Sequence, residues 1–331
     1  MKTRLPGIAL TFLVCLSCFL VSVKSYSQSF IFQTGKIKWE AGVNIGPSEF
    51  LGDMGGNAGH GTTFIKDINL ELTNIMKGAF LSIYPNDCIG LRFSVGKGKL
   101  EASDGIIDTK GVNELWRKER NLDFRSNISE AQIGLEIFPL MLLSSFHDDP
   151  PRLRPFGFLG IGLFHFNPQG SITTANGDKT WVYLHPLRTE GEGMKEYPGR
   201  QEYKLTQYNI PIGFGLKYFL SDRFTLSTEF LYRKTFTDYI DDVSTFYIDP
   251  KYFDQYLSPA DALIARQVHD KTFGIVNPGI TRYAPGTMRG NPKQADAYFS
   301  LFLKIGVRLG PIYESSFQKG AIRQARCPHI F

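Results

Sequence analysis

Ile89-Gly90-Leu91-Arg92-Phe93-Ser94-Val95-Gly96 is the stretch whose reading decides the fold. Its odd positions are all apolar and its even positions are glycine, arginine or serine, the period of two that a β-strand imposes because successive side chains point to opposite faces. Seven further segments repeat the pattern. Trp39, Ala41, Val43 and Ile45 oppose Glu40, Gly42, Asn44 and Gly46, and Ala79, Leu81 and Ile83 oppose Gly78, Phe80, Ser82 and Tyr84. Ala131, Ile133, Leu135 and Ile137 oppose Glu130, Gln132, Gly134 and Glu136. Between Phe156 and Phe166, Leu159, Ile161 and Leu163 alternate with Gly160 and Gly162, with flanking phenylalanines read on both faces. Ile210, Ile212, Phe214, Leu216 and Tyr218 oppose Asn209, Pro211, Gly213, Gly215 and Lys217. Phe224 to Tyr232 set an apolar face against Thr225, Ser227, Glu229 and Arg233, and Phe299 to Val307 set one against Ser300, Phe302, Lys304, Gly306 and Arg308.

Alternation by itself also fits a soluble sandwich. The minor face separates the two readings. Arg92, Glu136, Lys217, Glu229, Arg233, Lys304 and Arg308 alternate there with glycines, while the opposite face is unbroken hydrocarbon. A barrel in lipid has this inside-out arrangement, apolar outside and polar within. The connections alternate as well. Pro85 to Cys88 and Ser221 to Arg223 are short and Pro139 to Arg154 is intermediate, whereas 47–77, 97–126, 168–204 and 237–295 are long. Short turns on one side and long loops on the other, with an even strand number and strands of roughly nine to eleven residues, match a barrel crossing a bilayer. Trp39, Tyr84, Phe138, Tyr218, Phe219, Phe224, Tyr232, Phe236 and Tyr298 gather at strand ends as interfacial girdles would.

The expected fold is therefore all-β, an eight-stranded antiparallel up-and-down transmembrane β-barrel with long outer loops, over residues 28–309; a soluble sandwich or lipocalin-like barrel is the rival. Ser258-Pro259-Ala260-Asp261, followed by good helix formers to Arg266, predicts one short helix in the longest loop, with serine as cap and proline at the first helical position.

Residues 1–27 read as an export signal: Lys2 and Arg4 precede an apolar run from Leu5 to Val23, and Ser25-Tyr26-Ser27 offers a small-x-small cleavage site. A signal anchor or a buried N-terminal helix are the alternatives. Cys15 and Cys18 do not make a lipid anchor, since the apolar run continues past them and Cys15 stands where a lipobox has leucine. The 33 glycines, 27 phenylalanines and 15 tyrosines suit one large β-domain. Without Lys2, Arg4 and Lys24 the formal charge of +5 falls to +2, too small to argue for nucleic acid. Residues 310–331 form a tail on the short-turn, periplasmic side.

No catalytic, cofactor or metal motif stands out. His60, His147, His165, His185, His269 and His329 are scattered, and no G-x-S-x-G or H-E-x-x-H occurs. A lipid-modifying barrel enzyme would need a Ser/His/acid set at one rim, for which His185 with Ser171 or Ser244 is the available choice. Asp238, Asp241, Asp242 and Asp249 could ligate calcium, but their spacing matches no binding loop, so they read as a solvated acidic loop. Inside the barrel, Arg92, Lys217, Arg233, Lys304 and Arg308 are expected to pair with Glu40, Glu130, Glu136 and Glu229, because unpaired charges out of bulk water cost several kcal/mol each. Such a network plugs a barrel whose interior is just wide enough for side chains, which weighs against a small-solute channel. Cys88 and Cys327 would share the oxidising side of the membrane, where a bridge between them, two free thiols, or a bond from the tail to a partner are all open.

Several stretches resemble the small outer-membrane barrels of Bacteroidota that include the PorG protein of the type IX secretion system. They are Ser48 to Asn57 (SEFLGDMGGN), Tyr84-Pro85-Asn86-Asp87 before Ile89-Gly90-Leu91-Arg92, Arg120-Asn121-Leu122-Asp123-Phe124, and Arg154-Pro155-Phe156 with Gly160-Ile161-Gly162 and Phe164-His165-Phe166. The resemblance spans residues 38–310 and carries over no catalytic residue. It implies a structural or assembly role in the envelope, with outer-membrane lipid and a periplasmic or outer-membrane protein as partners.

Overall fold

A computed structural model describes residues 37–54, 72–107, 112–143, 150–174, 176–272, 274, 278–280 and 282–309. The expected signal segment, the tail and Cys327 lie outside the described residues.

Among the described residues ten strands form, β1 (Lys38–Leu51), β2 (Asn74–Tyr84), β3 (Ile89–Ser103), β4 (Asp123–Ile137), β5 (Leu153–His165), β6 (Pro168–Thr173), β7 (Lys179–Tyr183), β8 (Thr206–Phe219), β9 (Phe224–Thr235) and β10 (Ala297–Leu309). Eight of them close into a barrel in the order β3-β2-β1-β10-β9-β8-β5-β4, with β4 paired back to β3. Every barrel pairing is antiparallel, from Trp39↔Leu309 and Trp39↔Ile83 around to Asn209↔Thr235. Full closure leaves no unpaired edge in the wall, the condition for a sheet in lipid. β6 and β7 are a hairpin inside the loop between β5 and β8, touching the barrel through Arg125↔Gln169 and Ser126↔Pro168.

The apolar face points out. Val43, Leu91, Phe93, Ile133, Leu135, Leu159, Ile161, Ile212, Phe214, Leu303 and Ile305 are all exposed on the outer wall. Such a continuous exposed hydrocarbon band has no place in water. The barrel strands are 11 to 15 residues long, longer than the nine to eleven expected. The excess lies at the long-loop end, where the β3–β4 ladder runs on to Ser103↔Asp123. There the polarity of the wall inverts: Leu100, Ala102, Phe124 and Ile128 are buried inside, while Lys97 and Ser129 are exposed outside. A strand leaving lipid for water must exchange its faces in this way, and the inversion hid the strand extensions from a search for one constant pattern.

Four of the nine proposed girdle aromatics are corrected. Tyr84, Phe138, Phe219 and Tyr298 are buried, because they share the parity of the charged face and so point inward. Trp39, Tyr218, Phe224 and Phe236 are exposed on the wall. The flanking phenylalanines of β5 do not divide between its faces either: Phe156, Phe158 and Phe164 are all buried, on the parity of Gly160 and Gly162.

Among the described residues three α-helices lie in the loops, α1 (Val112–Arg120), α2 (Phe253–Tyr256) and α3 (Pro259–His269). α3 is the expected one, with the Ser258 hydroxyl accepting the Asp261 N–H and Pro259 at its first turn. It buries Ala262, Ala265 and Val268 against Leu184, Leu187, Met194, Ile248 and Phe253, so the outer loops possess a core of their own.

Candidate functional site: the closed lumen and its outer cap

Glycine and charge share the inward face of the wall, and the charges meet across the lumen. Arg92 reaches from β3 to Glu136 on β4 at 2.8 Å and to Glu229 on β9 at 2.9 Å. In the eight-strand ring β3 and β9 stand four strands apart in either direction, so the second bond spans the barrel. Lys217 Nζ lies 3.1 Å from Glu40 and 3.2 Å from Glu136, and Lys304 Nζ lies 2.7 Å from Glu229. Three cations thus face three carboxylates, and the layer is neutral. Tyr84 joins it by donating to Glu136 while accepting from Lys217 at 2.6 Å. Nearer the long loops, Arg233 bonds Glu130 at 2.6 Å, and Glu130 also accepts from Tyr298 at 2.8 Å. All eight of these charged side chains are buried.

Aromatic rings fill what the charges leave. The Arg92 guanidinium lies 3.7 Å from the centre of the Phe158 ring, and Lys304 lies 4.5 Å from that of Phe80. Cations over ring faces gain electrostatically, most where water is excluded. Glycines make the room. A Cβ on Gly134 would stand 2.7 Å from the Phe158 ring, and one on Gly42 would stand 2.5 Å from the Phe80 ring. Phe80 already shares the glycine face in the sequence, whereas Phe158 falls among phenylalanines read on both faces; its even parity with Gly160 and Gly162 was the available signal.

Arg308 is not drawn into the lattice. It pairs in register with Glu40, yet the Glu40 carboxylate turns to Lys217 and to the Thr225 hydroxyl at 2.7 Å. Arg308 stays half-buried at the short-turn rim, 5.4 Å from the Phe219 ring, with no ion pair within 4.0 Å among the described residues. Buried Lys217 has no water to solvate it and takes the carboxylate, while Arg308 at the rim does not need it. The same rim carries Asp87, paired with Lys38 at 2.7 Å and Arg154 at 3.5 Å. Cys88 is a buried free thiol whose Sγ donates to the Met141 carbonyl at 3.0 Å. Burial first, and the charge of Asp87 second, push that thiol up from its ordinary value.

Both ends of the lumen are shut. Tyr84, Phe138, Met141 and Phe156 pack across the short-turn end. At the other, an aromatic run from Tyr298 through Phe164, Phe166 and Tyr203 to Tyr239 joins the wall to the loops, with Tyr203 and Tyr239 stacked at 4.7 Å. The voids left are about 10 Å³ beside Arg92 and Arg233 and about 20 Å³ beside Glu40 and Lys217 at the short-turn end.

The acidic residues of the last loop are not a solvated loop. Asp241 and Asp242 are fully buried in the cap; chain folding brings Asp53 and Asp296 beside Asp238 and Asp241, Asp242 accepts from Thr189 and Tyr203, and Asp249 pairs with Lys251 at 2.7 Å. His185, Ser171 and Ser244 are not brought together as a catalytic set. His185 bonds the Tyr203 carbonyl at 2.8 Å, Ser171 donates to Asp123 at 2.6 Å, and the Ser244 N–H donates to Glu190 at 3.0 Å. His269 is buried against the Thr189 carbonyl at 2.7 Å, and its pKa is pushed down to about 3 by burial and by Arg289. His165 is exposed on the wall beside Thr206.

No family model matches the chain, and no curated protein matches it. Among solved structures, it is similar to the attachment invasion locus protein Ail of Yersinia pestis in complex with the heparin analogue sucrose octasulfate, at 8% identity over 82% of this chain and 97% of that one, with a TM-score of 0.33. It is similar to Neisserial surface protein A at 10% identity over 82% and 97%, with a TM-score of 0.31. A major outer membrane protein from Thermus thermophilus matches at 10% identity over 83% and 100%, with a TM-score of 0.36.

Proposed function

We propose that this chain is a non-enzymatic β-barrel of a bacterial outer membrane, exported by residues 1–27, that serves as an anchor or accessory of an envelope complex. The observation that carries the reading is the closed lumen. A neutral lattice of ion pairs crosses it from wall to wall, aromatic rings fill the remainder, and packed loops cover the outer mouth. A barrel with no path through it acts through its surfaces, here the folded outer cap and the short-turn rim with its following tail. The inward charges suit no acyl chain, which weighs against a lipid-modifying enzyme. The resemblance to the Bacteroidota barrels points to type IX protein secretion as the complex.

Affinity purification of the tagged protein from crosslinked outer membranes tests this. At least one envelope protein should co-purify in near-equal amount, and components of the type IX machine would mark the finer assignment. Recovery of the barrel alone, together with loss of solute uptake in cells lacking it, would overturn the accessory role.

A further inference from the structure

More acid is gathered above the barrel mouth than nearby bases balance. Asp53 follows β1, Asp238 and Asp241 follow β9, and Asp296 precedes β10. Asp241 and Asp296 are at most 1% exposed and Asp53 is 6% exposed. The two guanidiniums nearest them are committed elsewhere. Arg120 grips Asp104 through two bonds of 2.7 and 2.9 Å and gives its remaining donors to the carbonyls of Arg289 and Asp53. Arg289 bonds Glu190 at 2.9 Å and the carbonyl of Asp242 at 2.6 Å. Among the described residues no cation comes within 4.0 Å of the four carboxylates.

Each of three carboxyls is pinned by a single backbone N–H. Asp296 Oδ2 accepts from Ile240 at 2.8 Å, Asp241 Oδ1 from Val243 at 3.0 Å, and Asp53 Oδ2 from Asn291. Among the described residues Asp296 Oδ1 and Asp241 Oδ2 have no hydrogen-bond partner, and the Asp238 carboxyl has only the Ser244 side chain beside it. Glycine clears their space. A Cβ on Gly52 would run into the unpaired Asp296 Oδ1, placing that oxygen against the residue before Asp53. Four ionised carboxylates sharing a dry volume without counter-charge would cost several kcal/mol each. The side chains are not gathered around one point as a metal ion would require, among the described residues. Protons are the remaining neutraliser.

We propose that the outer cap is a proton-held latch, in which Asp53, Asp238, Asp241 and Asp296 are neutral while the cap is shut and their ionisation frees residues 237–245 and 289–296 from the barrel mouth. Burial is the largest cause acting on all four groups and raises their pKa values, to about 6 for Asp53 and about 10 for Asp238 and well up for Asp241 and Asp296. Mutual repulsion adds to it for Asp296, which faces the other three. The other charged groups facing the cluster are Arg120 and Arg289, which oppose the rise, and Asp104 and Glu190, which add to it. The shut cap binds more protons than an open one, so closure is strongest in acid and is lost as pH climbs from the ordinary carboxylate range through 6 and beyond.

Hydrogen exchange by mass spectrometry on the protein folded in detergent, between about pH 5 and pH 9 and corrected for intrinsic rate, reads this. Amides of 237–245 and 289–296 should lose about tenfold or more of their protection across that range, the factor one unit of pKa difference confers, while strand amides of β9 and β10 stay protected. Asp241→Asn with Asp296→Asn keeps the accepting oxygens and cannot ionise, so it should hold the cap shut at the alkaline end; Asp296→Asn alone serves if the pair does not fold. Protection of the natural sequence that does not change with pH would overturn the latch, as would asparagine variants that are open throughout. Full re-closure at the alkaline end by millimolar calcium would overturn it in favour of a bound cation.

Discussion

Arg92 ties opposite sides of the lumen together. It holds two carboxylates and lies on the Phe158 ring, out of reach of water. Arg92→Met leaves Glu229 with Lys304 as its one ion-pair partner and should destabilise the fold by about 3–5 kcal/mol, the usual cost of breaking a buried pair. A drop in the urea midpoint of the detergent-folded protein, at constant slope, is the check. Gly134→Val would drive a Cβ against the Leu159 carbonyl and the Phe158 ring and should destabilise the fold by about 1–3 kcal/mol, in the range of overpacked cores, read as a lower midpoint. Parity made most of the lattice legible, since a charge alternating with glycine opposite a hydrocarbon face has to point inward. It could not give the partner of each charge. Glu40 lies beside Arg308 in register and bonds Lys217 instead, a choice made by the third dimension. Cys88, buried and hydrogen-bonded to the Met141 carbonyl, should resist a thiol reagent in the folded protein and react quickly after denaturation. Rapid labelling of the native protein would contradict its placement.

At the scale of elements, the eight wall strands were legible wherever one polarity persisted and ended early wherever it inverted. The helix at Pro259–His269 was readable because its cap, proline and first-turn acid all agree. The β6–β7 hairpin was missed, although Asn176-Gly177 between two β-forming runs is a strong short-range hairpin signal. Gly177 has φ +86°, a left-handed conformation that a β-branched residue tolerates poorly. Gly177→Val should therefore open the hairpin, freeing Trp181 from the Arg125 guanidinium that covers its ring at 4.4 Å. Faster proteolysis between residues 168 and 183, with no change in the heat-modified gel mobility of the barrel, is the expected outcome. Loss of the barrel itself would show that the hairpin supports the wall.

For the molecule as a whole, the sequence conveyed closure, strand number and inside-out polarity, because these are repeated in every strand. The packing of the cap was not conveyed. Its contacts join residues as distant as Asp53 and Asn291, and such long-range pairings leave no local periodicity to read. The barrel is sealed along its length. The lattice, the rings and the cap each block the same axis, and this is what supports the proposed role through its surfaces. Single-channel recording in planar bilayers tests that most directly. The folded protein should insert without stable conductance steps at any holding potential that the bilayer survives, and reproducible ohmic steps from the natural sequence would contradict the sealed lumen and the accessory role built on it.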